Sequence, residues 1–539
     1  MKSVKWLMLA AVATVATLQG RAEWTSAGEV QFASLKALAP QMNTLAAKAN
    51  FPLLPMLAPQ FVSKSGMAEK FGQPRQDGDW GLKLYVNDET METVWAWPLE
   101  GGKEAWLEDN DEKKPEADGT YKYSRKIEGE HAKLISSVLG KDEIVEFATF
   151  SADGKWAFLS ENAELAKRAA KEGAPFAKPL VKGIALVKLE GEKVFKVAPE
   201  LFAALEARNR KIKKAAKENG LLKEGDDEDI IEEDDGSDTK FSLVPKNFPG
   251  PETSKFFYTL LKEFRSVNLL VGISKTGLDV RVKAVPAKDS VLNGYTGALK
   301  SGELAFDAIP DYSSIAWSTA AVHPEGELGK AWKAMADGIV KSFRDHLNKW
   351  NKRTGGGNAQ LNSFAKCVDF MAKGVKAVED SPAKCTQSRF FLAQSDKLDN
   401  SKSFAVSFDL ADGAKIGFAE KKPETASDDE VVMLATKTDK EGAFSVGAMD
   451  EGVKPSDGKV FAQKFEEAVP ELLKADKVLG AARYTVGAQM PDGNVKFSSF
   501  YFFSWLENSG AYRIMMRMPS EDIATAVMML LSMFGAIGG

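Results

Sequence analysis

Leu269-Leu270-Val271-Gly272-Ile273, Ser274-Lys275-Thr276-Gly277 and Leu278-Asp279-Val280-Arg281-Val282-Lys283-Ala284 decide the fold. Leu278, Val280, Val282 and Ala284 alternate with Asp279, Arg281 and Lys283. That period belongs to a strand with one face buried and the other in water. Leu269-Leu270-Val271 starts a second strand, and Lys275-Thr276-Gly277 turns the chain between them. Upstream, Leu260-Leu261-Lys262 closes a helix; downstream, Pro286-Ala287-Lys288-Asp289 opens one. The same order returns near the C-terminus. Leu472-Leu473-Lys474 precedes a strand through Tyr484 and Val486, a turn at Asp492-Gly493, further strands, and Pro519-Ser520-Glu521-Asp522 before a last helix. The chain therefore reads as two related α+β halves, 23–300 and 301–539, each a mainly antiparallel sheet of hairpins backed by helices.

Working outward, Glu29 to Lys48 has apolar residues at helical steps. Gly81–Val86, Glu92–Trp97 and Tyr121–Ile127 read as strands, and the polar run Lys103–Gly119 as a loop. Asp153-Gly154 between Ile144–Phe150 and Lys155–Leu159 is a hairpin signal, followed by a helix over Glu161–Lys171 and a strand over Val181–Leu189. A basic helical stretch from Arg208 to Lys217 meets ten acidic residues between Glu224 and Asp238. Together, 208–240 reads as a charged, mobile insertion.

In the second half, a strand around Ile315 and Trp317 precedes two apolar stripes. Leu328, Trp332, Met335, Ile339, Phe343 and Trp350 form the first; Leu361, Phe364, Val368, Met371, Val375 and Val378 form the second. Their spacing predicts a helical hairpin at about 327–379. Phe404–Leu410 alternates as a strand and turns at Asp412-Gly413 toward Ile416 and Phe418. Val431–Ala435 and Phe444–Val446 form another hairpin, and Val460–Leu473 a helix. Short turns leave no room for helical crossovers, hence antiparallel sheets.

With 539 residues, one hydrophobic core is too small a unit and two or three domains are expected. The net charge of -5 lacks the basic excess that a nucleic-acid surface needs. Lys2 and Lys5, then the apolar run Trp6–Leu18, then Gly20-Arg21-Ala22 match a signal peptide over 1–22, cleaved after Ala22. The expectation is a secreted or periplasmic protein without a transmembrane span in its mature chain. The two cysteines, Cys367 and Cys385, lie 385 − 367 = 18 positions apart. In an oxidising compartment they are expected to form a disulfide, stabilising the fold by about 3 kcal/mol.

Ala308-Ile309-Pro310-Asp311, leading into Ile315-Ala316-Trp317 and the helix from Leu328, resembles a Pro-Ala-Asp–strand–helix unit. That unit recurs in large secreted bacterial proteins classed as domains of unknown function. Asp289-Ser290 after a strand looks similar. The resemblance implies a bacterial envelope protein with duplicated α+β halves, and it brings no catalytic residues.

The sequence offers little to reaction chemistry. His131, His323 and His346 are the three histidines, far apart, so no His-Glu-x-x-His zinc helix is present. No Gly-x-Ser-x-Gly elbow accompanies them. Gly452–Lys459 has the wrong spacing and no following Ser/Thr for a phosphate loop. An EF-hand register through Asp235-Gly236 puts Ile231 first and Ser242 last, which fails as a calcium loop. No catalytic residues, metal ligands or cofactors are expected. Trp95 and Trp97 share a strand face and suit a core or, if exposed, a sugar platform. Ile523–Ile537 is apolar nearly all round; Met528, Met529, Met533 and Phe534 would give an adaptable apolar binding surface. The expected role is non-enzymatic binding or scaffolding, with an envelope protein or apolar ligand as partner. A carrier of an apolar, lipid-like ligand and a carboxylate-dependent glycan hydrolase are the alternatives.

Overall fold

A computed structural model describes residues 23–49, 52, 54–63, 65–87, 90–110, 113–126, 143–173, 175–194, 197, 251–274, 276–294, 313–320, 325–353, 385–394, 402–410, 432–437, 443–449, 458–489 and 495–523. These pack as two compact units. The first takes 23–197 and 265–278; the second takes 251–264 and 279–523. The packing units and the sequence halves are thus different divisions of the chain: the opening stretch is shared between the units.

The first unit holds β1 (Thr25–Phe32), β2 (Trp80–Val86), β3 (Met91–Pro98), β4 (Tyr121–Lys126), β5 (Glu143–Phe150), β6 (Trp156–Ser160), β7 (Ala185–Glu190) and all but the first residue of β8 (Phe264–Ile273). Every pairing is antiparallel, in the order β4-β5-β6-β3-β2-β1-β7-β8. Its helices are α1 (Leu35–Ala49), α2 (Leu54–Ser63), α3 (Gly66–Phe71), α4 (Gly102–Asp109) and α5 (Ala163–Glu172). The first four bring Leu35, Val62, Met67, Phe71 and Trp106 onto Trp97, Ala148, Ala157 and Leu159. Helix α5 lays Leu165, Ala169 and Ala170 on Tyr85, Val94, Ala96 and Phe158. Ala96 and Trp97 are neighbours on one strand, so these cores lie on opposite faces of the sheet. Each large buried side chain contributes about 1.5–3 kcal/mol.

Local chemistry sets the ends of these elements. Asn162 caps α5 by accepting from the backbone N–H groups of Glu164 and Leu165, and Gly173 at φ 82° stops it. The β5–β6 turn holds Gly154 at φ 67°, while Asp153 Oδ1 accepts from Ser151 Oγ at 2.6 Å and from Lys155 N at 3.1 Å.

The second unit contains α6 (Pro251–Lys262), most of β9 (Gly277–Pro286), β10 (Ser313–Ala320), α7 (Gly326–Arg353), β11 (Cys385–Gln394), β12 (Lys402–Leu410), β13 (Val432–Lys437), β14 (Ala443–Met449), α8 (Gly458–Ala468), β15 (Val478–Gln489), β16 (Val495–Leu506) and β17 (Tyr512–Pro519). Its strands follow the order β9-β17-β16-β15-β10-β11-β12-β14-β13. Phe461 and Phe465 of α8 pack on Ala316, Ala481, Tyr501, Phe503 and Met515. The two orders correspond when β1 is set against β10, β2 against β11, β3 against β12, β6 against β14, β5 against β13, β7 against β15 and β8 against β16. In both sheets the first strand is central, and strand β4 has no counterpart among the described residues.

The α+β class with mainly antiparallel sheets holds, and several boundaries differ from expectation. Glu29–Phe32 is strand, because β1 is a central strand hydrogen-bonded on both edges, to β2 and β7; the helix begins at Leu35. Lys103–Gly119 is not all loop: α4 forms there because Trp106 is buried under the sheet. The helix after Val460 ends at Ala468 and passes into a 3-10 turn, Pro470–Lys474, since Pro470 cannot continue an α-helix. Strand β12 has β11 on one edge and β14 on the other; the return strand expected at Ile416 and Phe418 lies outside the described residues. After Pro286 the described chain forms only a short 3-10 turn, Val291–Gly294. The signal peptide, the charged insertion and the second stripe of the helical hairpin fall outside the described residues.

Candidate functional site

Two groups of polar side chains sit where apolar packing would be expected. The first is in the second unit. Alternation places Asp279 on a wet face, yet Asp279 is 2% exposed and Arg517 is 1% exposed. Strand pairing between β9 and β17 brings them together. Arg517 Nε donates to Asp279 Oδ1 at 2.6 Å and Nη2 to Asp279 Oδ2 at 3.0 Å. The other edge of the guanidinium reaches Glu471, Nη1 to Oε2 at 3.0 Å and Nη2 to Oε1 at 2.9 Å, and Nη1 also donates to the Ala468 carbonyl at 2.8 Å. Arg281 adds a 2.6 Å contact to Asp279 Oδ2. Burial alone would pull the Arg517 pKa down; the bonds to Asp279 and Glu471 push it up instead. Burial raises Glu471, but Arg517 and Arg281 hold it below the usual carboxylate range. The cluster ties two strands to the end of α8, and its donors and acceptors are turned on one another.

In the first unit Asp79 has a comparable role. Its carboxylate accepts from Gln31 Nε2 at 2.6 Å, Ser34 N at 2.8 Å and Leu180 N at 2.6 Å, joining β1, the start of α1 and the segment before β7.

The second group lies beside α4. Trp106, Tyr121, Tyr123, Phe71 and Phe150 form a ring cluster with centroids 4.9 to 6.1 Å apart. The Lys113 ammonium stands 4.0 Å from the Tyr123 ring centre and 5.6 Å from that of Trp106. Lys70, ion-paired with Glu146, is 5.5 Å from the Tyr123 ring. Trp106 Nε1 donates to the Lys70 carbonyl at 3.0 Å. Desolvation, then the Lys70 charge, pulls the Lys113 pKa down. Burial, then Glu146, pushes the Tyr123 phenol up, and its hydroxyl is buried with no hydrogen-bond partner. The sequence reading missed this site because Trp106 and Leu107 form a short apolar island in a charged run. The paired tyrosines at 121 and 123, on one face of a strand, were the available signal.

Of the residues singled out in advance, Met528, Met529, Met533, Phe534 and Cys367 lie outside the described residues; Cys385 opens β11. Trp97 is core, its Nε1 donating to the Gly72 carbonyl at 3.1 Å, and Trp95 is half-buried against the same cluster, so the pair is not an exposed sugar platform. Asp522 is a carboxyl pushed up by burial, but its Oδ2 accepts from Ser499 N at 2.9 Å. Among the described residues no three His, Cys, Asp or Glu side chains are grouped to hold a metal ion, and no helix is long and apolar enough to cross a membrane. No family model, curated protein or solved structure matches this chain.

Proposed function

We propose that the protein is an exported, non-enzymatic binding or scaffold protein, cleaved after Ala22 and working in the bacterial envelope. One observation carries this reading: Arg517 and Asp279, both deeply buried, bond to each other, Arg517 bonds on to Glu471, and the group so acts as a cross-tie of the sheet. Catalytic carboxylates need an acceptor or proton left for substrate; these have given theirs to backbone and guanidinium partners. The shared strand order of the two sheets supports an origin by duplication, in line with the resemblance to large duplicated secreted proteins. Affinity purification of the mature chain from envelope extract tests the reading. A stoichiometric partner is expected, and its absence counts against it.

A second reading, a carrier of an apolar ligand, is favoured by one patch. Tyr484 is 50% and Met516 42% exposed, and register sets them beside half-buried Phe500 and Phe502 on a single sheet face. Organic extraction of purified protein followed by mass spectrometry tests it; extracts without a lipid-like species rule it out.

A further inference from the structure

We propose that the cluster around Lys113 is a binding site for a quaternary ammonium group, held shut in the free protein by the chain's own lysine. The proposal adds a ligand class to the binding reading above.

The walls are Trp106 and Tyr123, the two rings that Lys113 Nζ faces at 5.6 Å and 4.0 Å. Each wall is braced by a neighbouring ring. Tyr121 meets Trp106 edge-on at 5.2 Å, and Phe71 meets Tyr123 edge-on at 5.9 Å. The indole is also fixed by its bond to the Lys70 carbonyl. Rings locked in this way form a preorganised cation site, since a charge over the ring face is attracted by the quadrupole.

The present occupant suits the site poorly. A primary ammonium carries three donors and a strongly bound water shell. Lys113 forms no ion pair among the described residues, and desolvation disfavours its charged form. A quaternary ammonium has no N–H donor to leave unsatisfied and holds water weakly. It would take the same ring faces without that penalty. The buried, unpartnered hydroxyl of Tyr123 gives a choline-type ligand a hydrogen-bond partner for its own hydroxyl. The nearby Lys70 charge, which would oppose a cation, is matched by Glu146.

Delivery of Lys113 is local. Its backbone N–H donates to the Asn110 carbonyl at 3.0 Å just after α4, and the Glu116 N–H donates to the Thr120 carbonyl at 2.7 Å. The side chain can therefore swing out without unfolding α4.

The test is calorimetric titration of the full chain with choline chloride against matched sodium chloride. Lys113→Ala removes the occupant and is expected to tighten choline binding by about tenfold or more over the parent. Adding Tyr123→Leu should abolish that binding, and adding Tyr123→Phe, which keeps the ring, should preserve most of it. Circular dichroism melts check that each variant is folded. Flotation with phosphatidylcholine and with phosphatidylglycerol vesicles separates a lipid headgroup from free choline as the source. Folded Lys113→Ala that ignores choline, or binds it no better than the parent, overturns the proposal. So does binding that survives Tyr123→Leu. Choline binding and partner capture are independent readouts, so either reading can fail alone.

Discussion

Replacing Arg517 by Met is the sharpest perturbation of this structure. The side chain makes five N–H···O bonds of 2.6 to 3.0 Å, to two carboxylates and one carbonyl, at 1% exposure. Removing it strands the Asp279 carboxylate in the interior. Breaking a buried ion pair from one side costs about 3–5 kcal/mol. Arg281 retains its 2.6 Å contact to Asp279, and Glu471, at 34% exposure, can turn to water; both place the expectation near the lower end, about 3 kcal/mol. In urea unfolding of the mature chain that is a midpoint shift of up to about 1 M. Arg517→Met with Asp279→Leu exchanges the pair for apolar groups and should recover about 2 kcal/mol of the loss. The pH dependence has a defined sign. Glu471 is held below its ordinary range in the folded state. Its contribution is complete above the ordinary glutamate pKa of about 4.3 and is lost as pH falls through the lowered folded value. Parent stability should thus fall more steeply than that of Arg517→Met below about pH 4. An Arg517→Met variant within about 0.5 kcal/mol of the parent would refute the cross-tie.

Asp79→Asn should cost about 2–3 kcal/mol in the same assay, because an amide oxygen cannot replace a carboxylate that accepts from three N–H groups. Gly81→Ala should destabilise the first unit by about 3 kcal/mol or prevent its folding, since a Cβ there would sit 1.9 Å from the Val30 carbonyl oxygen; a thermal melt reads the effect, and an unchanged melting temperature would contradict the β1–β2 approach. Thiol titration of the denatured mature chain should find no free cysteine before reduction and both Cys367 and Cys385 after it. Two free thiols at the outset would remove the disulfide.

The sequence made most strands of the first unit legible, because alternation and Gly-containing turns are local signals. β2, β3, β5 and β6 begin and end within a residue or two of expectation. Two kinds of feature were not legible. Val30 and Phe32 suit a helical and a strand period alike, and only pairing with β2 and β7 decides for strand. Asp279 alternates as a solvent residue, but its partner Arg517 is 238 positions away and reaches it through strand pairing. The Lys113 site was hidden for a similar reason. Its rings come from α3, α4, β4 and β5, and the one ring inside α4 lies in a run of charge that reads as loop.

The binding reading is tested most directly by purifying the mature chain from its native envelope extract and analysing the same sample for co-purifying proteins and for extracted small molecules. The expected result is a stoichiometric companion, protein or organic ligand, retained equally by the parent and by Asp522→Asn. A sample that comes through empty yet cleaves envelope glycans, with the cleavage lost in Asp522→Asn, would contradict it.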